Sequence, residues 1–401
     1  MTKTPIKKKT FSRPGIDAIR DELGLTVTSS DDLNVSNADK PITFIEMPQA
    51  FQDALRLPGI PQGYPTICAG WSNTGKSTLV NCLIAGCQKQ GILPVMFQTE
   101  NNFDFRYAQS CGVVAEPVMG KVPVEKIDEE TGEIYEEMED GIITYTGDFL
   151  YYNNKILAEK FGCNDYATGT TVKTKRKQAV LEDIACAINT ILDMQDEGKI
   201  QQPICFIIDS IGAITSFKSW KSKTGNNMFD AAAISQAFSN ILNARIPGSR
   251  SVSEKYTNSF FAVNKVWDNS MQSMGMPSYS LKGGKSVYYA ARLIIQVGGV
   301  AKAGTTRLTA TAKGATYNYG MITKVKTVKN QLPEPWSITS DSQVACVSSG
   351  LWDPNKLDEY KKTHMKDILK EIEERMAKEG TTVSENDVQF SQIEDADGNY
   401  E

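Results

Sequence analysis

From about residue 51 to residue 332, short continuous apolar runs alternate with longer segments whose apolar residues return every three or four positions. The first kind reads as strands buried on both faces, the second as helices with one buried stripe. "YPTICA" and "ICFIIDS" are of the first kind, and "QAVLEDIACAINTILDM" is of the second. The alternation predicts an α/β fold, a mainly parallel central sheet flanked by helices. One place breaks the pattern. The strand expected at Val95–Phe97 runs into Glu100 and two asparagines, polar groups at the lip of a core strand.

Outside this core the pattern changes. Residues 1–50 combine a basic start, the helical stretch "GIDAIRDELGL" and a polar segment, and read as an N-terminal arm or oligomerisation segment. An insertion covers about 114–175. Between Glu125 and Asp140 it carries nine acids against one lysine, and "EETGE" between alternating residues predicts a solvated β-hairpin. Residues 333–401 read as a C-terminal helical region, "LDEYKKTHMKDILKEIEERMAKEG", with a tail, "SENDVQFSQIEDADGNYE". The tail has six acids and no Lys or Arg, which predicts disorder.

Composition narrows the chemistry. The chain has 401 residues, of which 40% are apolar, enough for a sizeable core. No apolar run approaches the roughly 18 residues of a membrane span. The basic N-terminus lacks the apolar stretch of a secretory signal, so a cytoplasmic protein with no membrane partner is expected. Eight cysteines show no CxxC spacing and read as buried small hydrophobes. His364 is the single histidine, which excludes a Ser-His-Asp triad and a His-based metal site. The net charge of −5 argues against nucleic-acid binding in total, so the distribution of charge decides.

The strongest motif is "GWSNTGKST", Gly70, Trp71, Ser72, Asn73, Thr74, Gly75, Lys76, Ser77 and Thr78, which fits G-x-x-x-x-G-K-[ST] between a strand and a helix. Backbone N–H groups of such a loop cradle phosphates, and the lysine reaches the β- and γ-phosphates. Ser77 is the candidate magnesium ligand, supported by Thr78. Asp209, ending "ICFIID", is the expected second acid of the metal shell, acting through water. Glu100 then has a phosphate to face. It reads either as the group that orients and deprotonates a water, or as the N-cap of the following helix.

Two further stretches bear on nucleic acid. "TSFKSWKSKTGNN" interleaves Phe217 and Trp220 with Lys218, Lys221 and Lys223. Lysines neutralise phosphates and aromatic faces stack on bases. "WDNSMQSMGMPSYSLKGG" lacks periodicity and reads as a loop. The cluster Lys173–Lys177 reads equally as a third basic site or as a solvated helix start.

In the order of its motifs the chain resembles the RecA-like ATPases. "ENNFDFRYAQSCGV" is similar to the family segment E-x-x-x-D-x-x-Y-A-x-x-x-G-V, gapless over fourteen residues. "IDSIGAITS", "GNNMFDAAAISQAFSNIL", "FFAVNKV", "GGKSVYYAARLII" and "KVKTVKN" resemble further recombinase segments in the same order, over about residues 55–332 outside the insertion. The resemblance implies a strand-exchange ATPase that uses ATP and Mg²⁺ and forms helical filaments on single-stranded DNA. Its other implied partners are homologous duplex DNA and mediator and single-strand-binding proteins. Carried over, Glu100 is the catalytic base, and Asp104 and Tyr107 hold the adenine. Lys329 enters the neighbouring subunit's site. Lys282, Gly283, Gly284 and Arg292 close the second DNA loop, in which the resemblance implies that Met274, Met276 or Tyr279 wedges between bases. Two positions depart from the family. Lys265 stands where glutamine is usual, and Gln331 replaces an interface lysine, which makes Lys265 a candidate catalytic companion of Lys329. The insertion and termini look more like a phage-encoded recombinase of the bacterial cytoplasm than cellular RecA. Two alternatives stay open: a DnaB-like hexameric helicase, and an ATP-binding filament or regulatory protein that hydrolyses weakly.

Overall fold

The computed structural model describes residues 39–127, 134–222, 227–268, 279–281, 288–299, 304–376 and 383–394. Strand β1 (Phe44–Glu46) pairs antiparallel with β2 (Gly59–Pro61), and helix α1 (Gln49–Leu55) connects them. The main sheet follows. Strand β3 (Thr66–Gly70) leads into α2 (Lys76–Lys89), and β4 (Leu93–Gln98) into the short α3 (Phe105–Ser110). An antiparallel pair, β5 (Glu116–Ile127) and β6 (Ile134–Thr146), forms the arms of the expected hairpin; the turn residues 128–133 lie outside the described segments. The chain returns through β7 (Leu150–Asn153) and α4 (Asn154–Phe161) to α5 (Leu181–Asp196). Strands β8 (Asn164–Asp165) and β9 (Thr170–Thr171) form a small ladder on the way.

Strand β10 (Ile204–Asp209) precedes α6 (Phe217–Ser222) and α7 (Asn227–Asn240). The rest of the sheet comes from β11 (Ser259–Asp268), β12 (Tyr279–Leu281), β13 (Leu293–Val297), β14 (Thr306–Ala312) and β15 (Ala315–Asn330). Neighbours β13, β3, β11, β10, β4 and β7 are all parallel. Antiparallel β15 extends this sheet beyond β13. The mixed α/β fold with its large, centrally parallel sheet is the one expected from sequence, and it is consistent with a RecA-like core.

Each central strand is one apolar run that serves two layers. In β10, Cys205 and Ile207 pack into the core with α1 and α2, whereas Ile204, Phe206 and Ile208 pack against α5 on the other face. Successive side chains of a strand point to opposite faces, so a continuous apolar sequence is what a doubly covered strand needs. All eight cysteines are free thiols, and five of them are buried in this way.

The sheet does not stop near residue 332. Strands β16 (Asp341–Val347) and β17 (Gly350–Trp352) add to it beside β15. The helices α8 (Leu357–Thr363) and α9 (Met365–Glu374) then cover a third core around Leu308, Tyr319 and Tyr360. The acidic tail differs from expectation as well. Strand β18 (Gln389–Glu394) pairs with β14 along six residues, and Phe390 packs against Tyr319. No apolar alternation marks "QFSQIE" as a strand; Phe390 is its one partly buried residue, and pairing with β14 carries it. The insertion also rejoins the fold. β7 lies beside β4 as an edge strand of the main sheet. No helix among the described residues is long and apolar enough to cross a membrane.

The end of the insertion is fastened by a buried ion pair. Arg176 donates from Nη1 to Asp183 Oδ2 at 3.0 Å and from Nη2 to Oδ1 at 2.8 Å. Asp183 also accepts from Tyr166 Oη and the Val180 N–H, both at 2.8 Å. Removing one partner of a buried pair strands the other charge. Asp183→Ala is therefore expected to lower unfolding stability by about 3–5 kcal/mol, read from the midpoint of a urea titration.

Candidate nucleotide site

Strand β3 ends at Gly70, and after the five residues 71–75 α2 begins with Lys76. Between them Asn73 (φ 56°) and Gly75 (φ 93°) take the left-handed region. The turn is packed so closely that a Cβ on Gly75 would lie 2.4 Å from Cys346 Sγ, and one on Gly70 2.2 Å from the Val297 carbonyl oxygen. Thr74 Oγ1 donates to the Trp71 carbonyl at 2.9 Å. Lys76 Nζ folds back onto the same carbonyl, and burial holds its pKa below the usual lysine value. Ser77 is exposed at the first turn of α2, whose N–H groups and positive dipole end face the cleft.

The acids come from the two neighbouring strand ends. Asp209 stands opposite Gln98 in the β10–β4 register. Burial, and then the charge of Glu100, push its carboxyl up to about 6, while Lys76 and Lys265 oppose the shift. Ser210 and Thr99 tie the two ends together: Thr99 Oγ1 donates to the Ser210 carbonyl at 2.8 Å and accepts from its N–H at 2.9 Å. Glu100 is then held at both oxygens. Ser210 Oγ donates to Oε1 at 2.7 Å, and Lys265 Nζ to Oε2 at 3.0 Å. Gln98 Oε1 accepts the N–H groups of Glu100 (2.7 Å) and Asn101 (2.6 Å), which shapes the turn beyond β4.

The capping role belongs to another residue. Asp104 Oδ1 accepts from the N–H groups of Arg106 (2.9 Å) and Tyr107 (3.1 Å) at the start of α3. Glu100 is therefore not the cap, and it faces the cleft. Tyr107 Oη lies 2.5 Å from Thr78 Oγ1 and donates to the Val347 carbonyl at 3.3 Å. Burial pushes its hydroxyl well above the usual range. The enclosed cleft is about 460 Å³. Its far wall consists of Tyr317–Met321 of β15 and Cys346–Ser348, with Asn102 near the mouth. Sequence reading missed this wall and Ser210. The wall has no local signal, because antiparallel pairing brings it in from 240 residues away or more; Ser210 could have been flagged only as the polar residue following Asp209.

Other expected residues lie elsewhere. Lys265 joins the cleft of its own chain through its hydrogen bond to Glu100. Lys329 pairs with Ile294, and Ile294 with Ile67, at the start of β3, the sheet end opposite the phosphate loop. There its Nζ donates to the Tyr288 (2.7 Å) and Tyr289 (3.2 Å) carbonyls, and burial with the nearby Arg292 lowers its pKa. Arg292 Nη1 donates to Gln331 Oε1 at 3.3 Å. Phe217 corrects a reading: it is 5% exposed and packs into the core, so it offers no face to a base. The expected loop there is the helix α6, on which Trp220, Lys218 and Lys221 are exposed. Tyr279 begins β12, paired with Asp268. Lys223, Met274, Met276, Lys282, Gly283 and Gly284 lie outside the described residues.

A glycine-lysine turn after β3, with acids at the ends of the neighbouring parallel strands β4 and β10, stands at one edge of this α/β sheet. Over 70 residues the chain is 37% identical to Protein RecA of Oleidesulfovibrio alaskensis and 39% identical to Protein RecA of Wolinella succinogenes. Each match covers 18% of this chain and 20% of the relative, so the chain spans about a fifth of the length of the curated relatives it matches. No family model matches it. With the fold, these two partial matches support a RecA-like relationship.

Two outcomes follow from the geometry. Gly75→Ala places a methyl group against Cys346 in a backbone region that disfavours side chains, so nucleotide binding measured by calorimetry should be lost. The raised carboxyl of Asp209 is a stability statement. Because its folded value is above the unfolded one, its ionisation costs stability as pH rises through about 4 to 6, and the cost is complete above 6. In nucleotide-free protein, Asp209→Asn should raise the urea midpoint most above pH 6, with the gain shrinking as pH falls toward 4.

Proposed function

We propose that the protein is a RecA-type, DNA-stimulated ATPase that polymerises on single-stranded DNA and exchanges its strand with homologous duplex DNA. The observation that carries the reading is Glu100, a carboxylate held by Ser210 and Lys265 at the strand end facing the phosphate loop. ATP is the substrate, with phosphates on the loop N–H groups and Lys76, and the base beside Tyr107. The residues fit magnesium. Ser77 and Asp209 offer oxygen ligands, and the raised carboxyl of Asp209 is what a buried anion without a full countercharge displays. The ion would neutralise charge on the phosphates.

Hydrolysis needs a water aligned with the γ-phosphorus. Glu100 accepts the water's proton as the new P–O bond forms and the bond to the β–γ bridging oxygen breaks, releasing ADP and phosphate. Lys265 occupies one oxygen of that base and is the nearest mobile cation to the γ-phosphate position. Transfer of its ammonium to the γ-phosphate frees Glu100 for the water. In this reading Lys329, at the far sheet end, acts on a neighbouring protomer of a helical filament. Trp220, Lys218 and Lys221 supply DNA contacts, and mediator and single-strand-binding proteins are the natural partners of such a filament. A phage-encoded, cytoplasmic protein accords with the insertion and divergent termini.

A second reading, an ATP-binding filament protein that hydrolyses slowly, is favoured by the same contact, because a base engaged at both oxygens is silent until Lys265 leaves. One assay separates them. ATP turnover should rise with single-stranded DNA, and negative-stain images should show helical filaments; closed rings or DNA-independent turnover would overturn the recombinase reading. Glu100→Gln should cut turnover by about 10²–10⁴ while nucleotide binding persists.

A further inference from the structure

Between α6 and residues 164–178 lies a second cavity, separate from the nucleotide cleft, enclosing about 690 Å³. Its wall alternates. Val172, Thr174, Arg176 and Gln178 line it, whereas Lys173, Lys175 and Lys177 between them are exposed. One short irregular run thus contributes residues to the pocket lining and exposed lysines beside it. Phe217 and Trp220 give the lining its aromatic part, their rings tilted by 31°. The Arg176 guanidinium lies 5.8 Å from the Tyr166 ring centre, 5.5 Å from Phe217 and 5.7 Å from Trp220.

Arg176 is buried, with 3% of its side chain exposed, and Asp183 takes its Nη atoms. Its Nε is buried with no hydrogen-bond partner among the described residues, a donor in a wall of the cavity. At the mouth, Trp220 is 36% exposed, and Lys221 Nζ is 3.4 Å from Asp165 Oδ2. Such an exposed pair contributes little and exchanges partners readily. The cationic rim is notable in a chain of net charge −5.

We propose that this cavity takes an unstacked base of single-stranded DNA, with the neighbouring phosphates drawn to Lys221 and to the Lys173–Lys175–Lys177 face. The proposal rests on the single-stranded-DNA reading above and gives the insertion its role in it. The volume suits a ligand of nucleotide size. Trp220, the exposed ring of the lining, offers its face to a planar base, and such stacking is tolerant of sequence. Arg176 Nε suits an acceptor on the base edge. Nothing apolar and elongated, such as a partner helix, would use the lysine face.

The test uses the full chain with Mg-ATP and a fluorescent oligo-dT 30-mer in a salt titration. Thr174→Trp fills the cavity from an exposed position; Lys173→Ala/Lys175→Ala/Lys177→Ala removes the cationic face. Matched urea midpoints establish that both variants fold. Thr174→Trp should weaken binding about tenfold, the scale of one lost base stack. The triple variant should reduce the slope of log affinity against log salt by about 1–2. With 4-thiothymidine in the oligomer, ultraviolet crosslinks should fall on residues 217–222. If the wild-type chain binds the oligomer and both variants match it, the cavity assignment is wrong while the DNA-binding reading stands, and a protein segment becomes the occupant to seek. If only the triple variant weakens, base insertion is wrong and the face is purely electrostatic. If the wild-type chain does not bind the oligomer, the DNA-binding reading fails with it.

Discussion

Parallel pairing of β3, β4, β10 and β11 brings four strand ends to one edge of the sheet. Gly70 stands opposite Lys265, and Gln98 opposite Asp209. The strands are buried on both faces, so a slip in register would move whole apolar sets between the two cores. The register is therefore fixed by packing, and the positions of the phosphate loop, both acids and Lys265 are fixed with it. The polar groups need no scaffold of their own; they are what the strands become where burial ends.

At that edge two cations and two anions share a partly buried cleft. Lys76 is pulled below its usual pKa and Asp209 above, each because burial disfavours its charged form. Glu100 is anchored instead, by a hydroxyl on one oxygen and an ammonium on the other. The arrangement is poised electrostatically. Added negative charge on the loop side competes for Lys265, and loss of Lys265 frees one oxygen of Glu100. Tyr107, held by Thr78 and the Val347 carbonyl, forms the opposite side of the mouth.

The segments outside the core pattern turn out to be integrated with it. The insertion contributes an edge strand, then fastens its end through Arg176 and Asp183 to the start of α5. Because Phe217 packs on the same guanidinium, the helix after Asp209 and the end of the insertion are one packed unit. The tail contributes β18, and residues past 332 contribute β16 and β17, of which β16 supplies part of the cleft wall.

Local chemistry in the sequence determined the central strands, the phosphate loop and the acids at Glu100 and Asp209. A continuous apolar run, a glycine-lysine turn and a carboxylate at a strand end each state their own environment. Asp104 adds a role that the resemblance did not give: besides the adenine contact it implied, the folded chain uses Oδ1 as a helix cap. Phe217 shows the limit of local chemistry, because an aromatic among lysines reads as exposed until Arg176 and Tyr166 are packed against it. Only tertiary structure decided that Lys265 serves its own chain's Glu100, that Lys329 lies at the opposite sheet end, and that β15 and β16 close the cleft. Those facts depend on strand order and register between residues far apart in sequence. Pairing of that kind is set by the packing of the whole sheet and leaves no mark on any one segment.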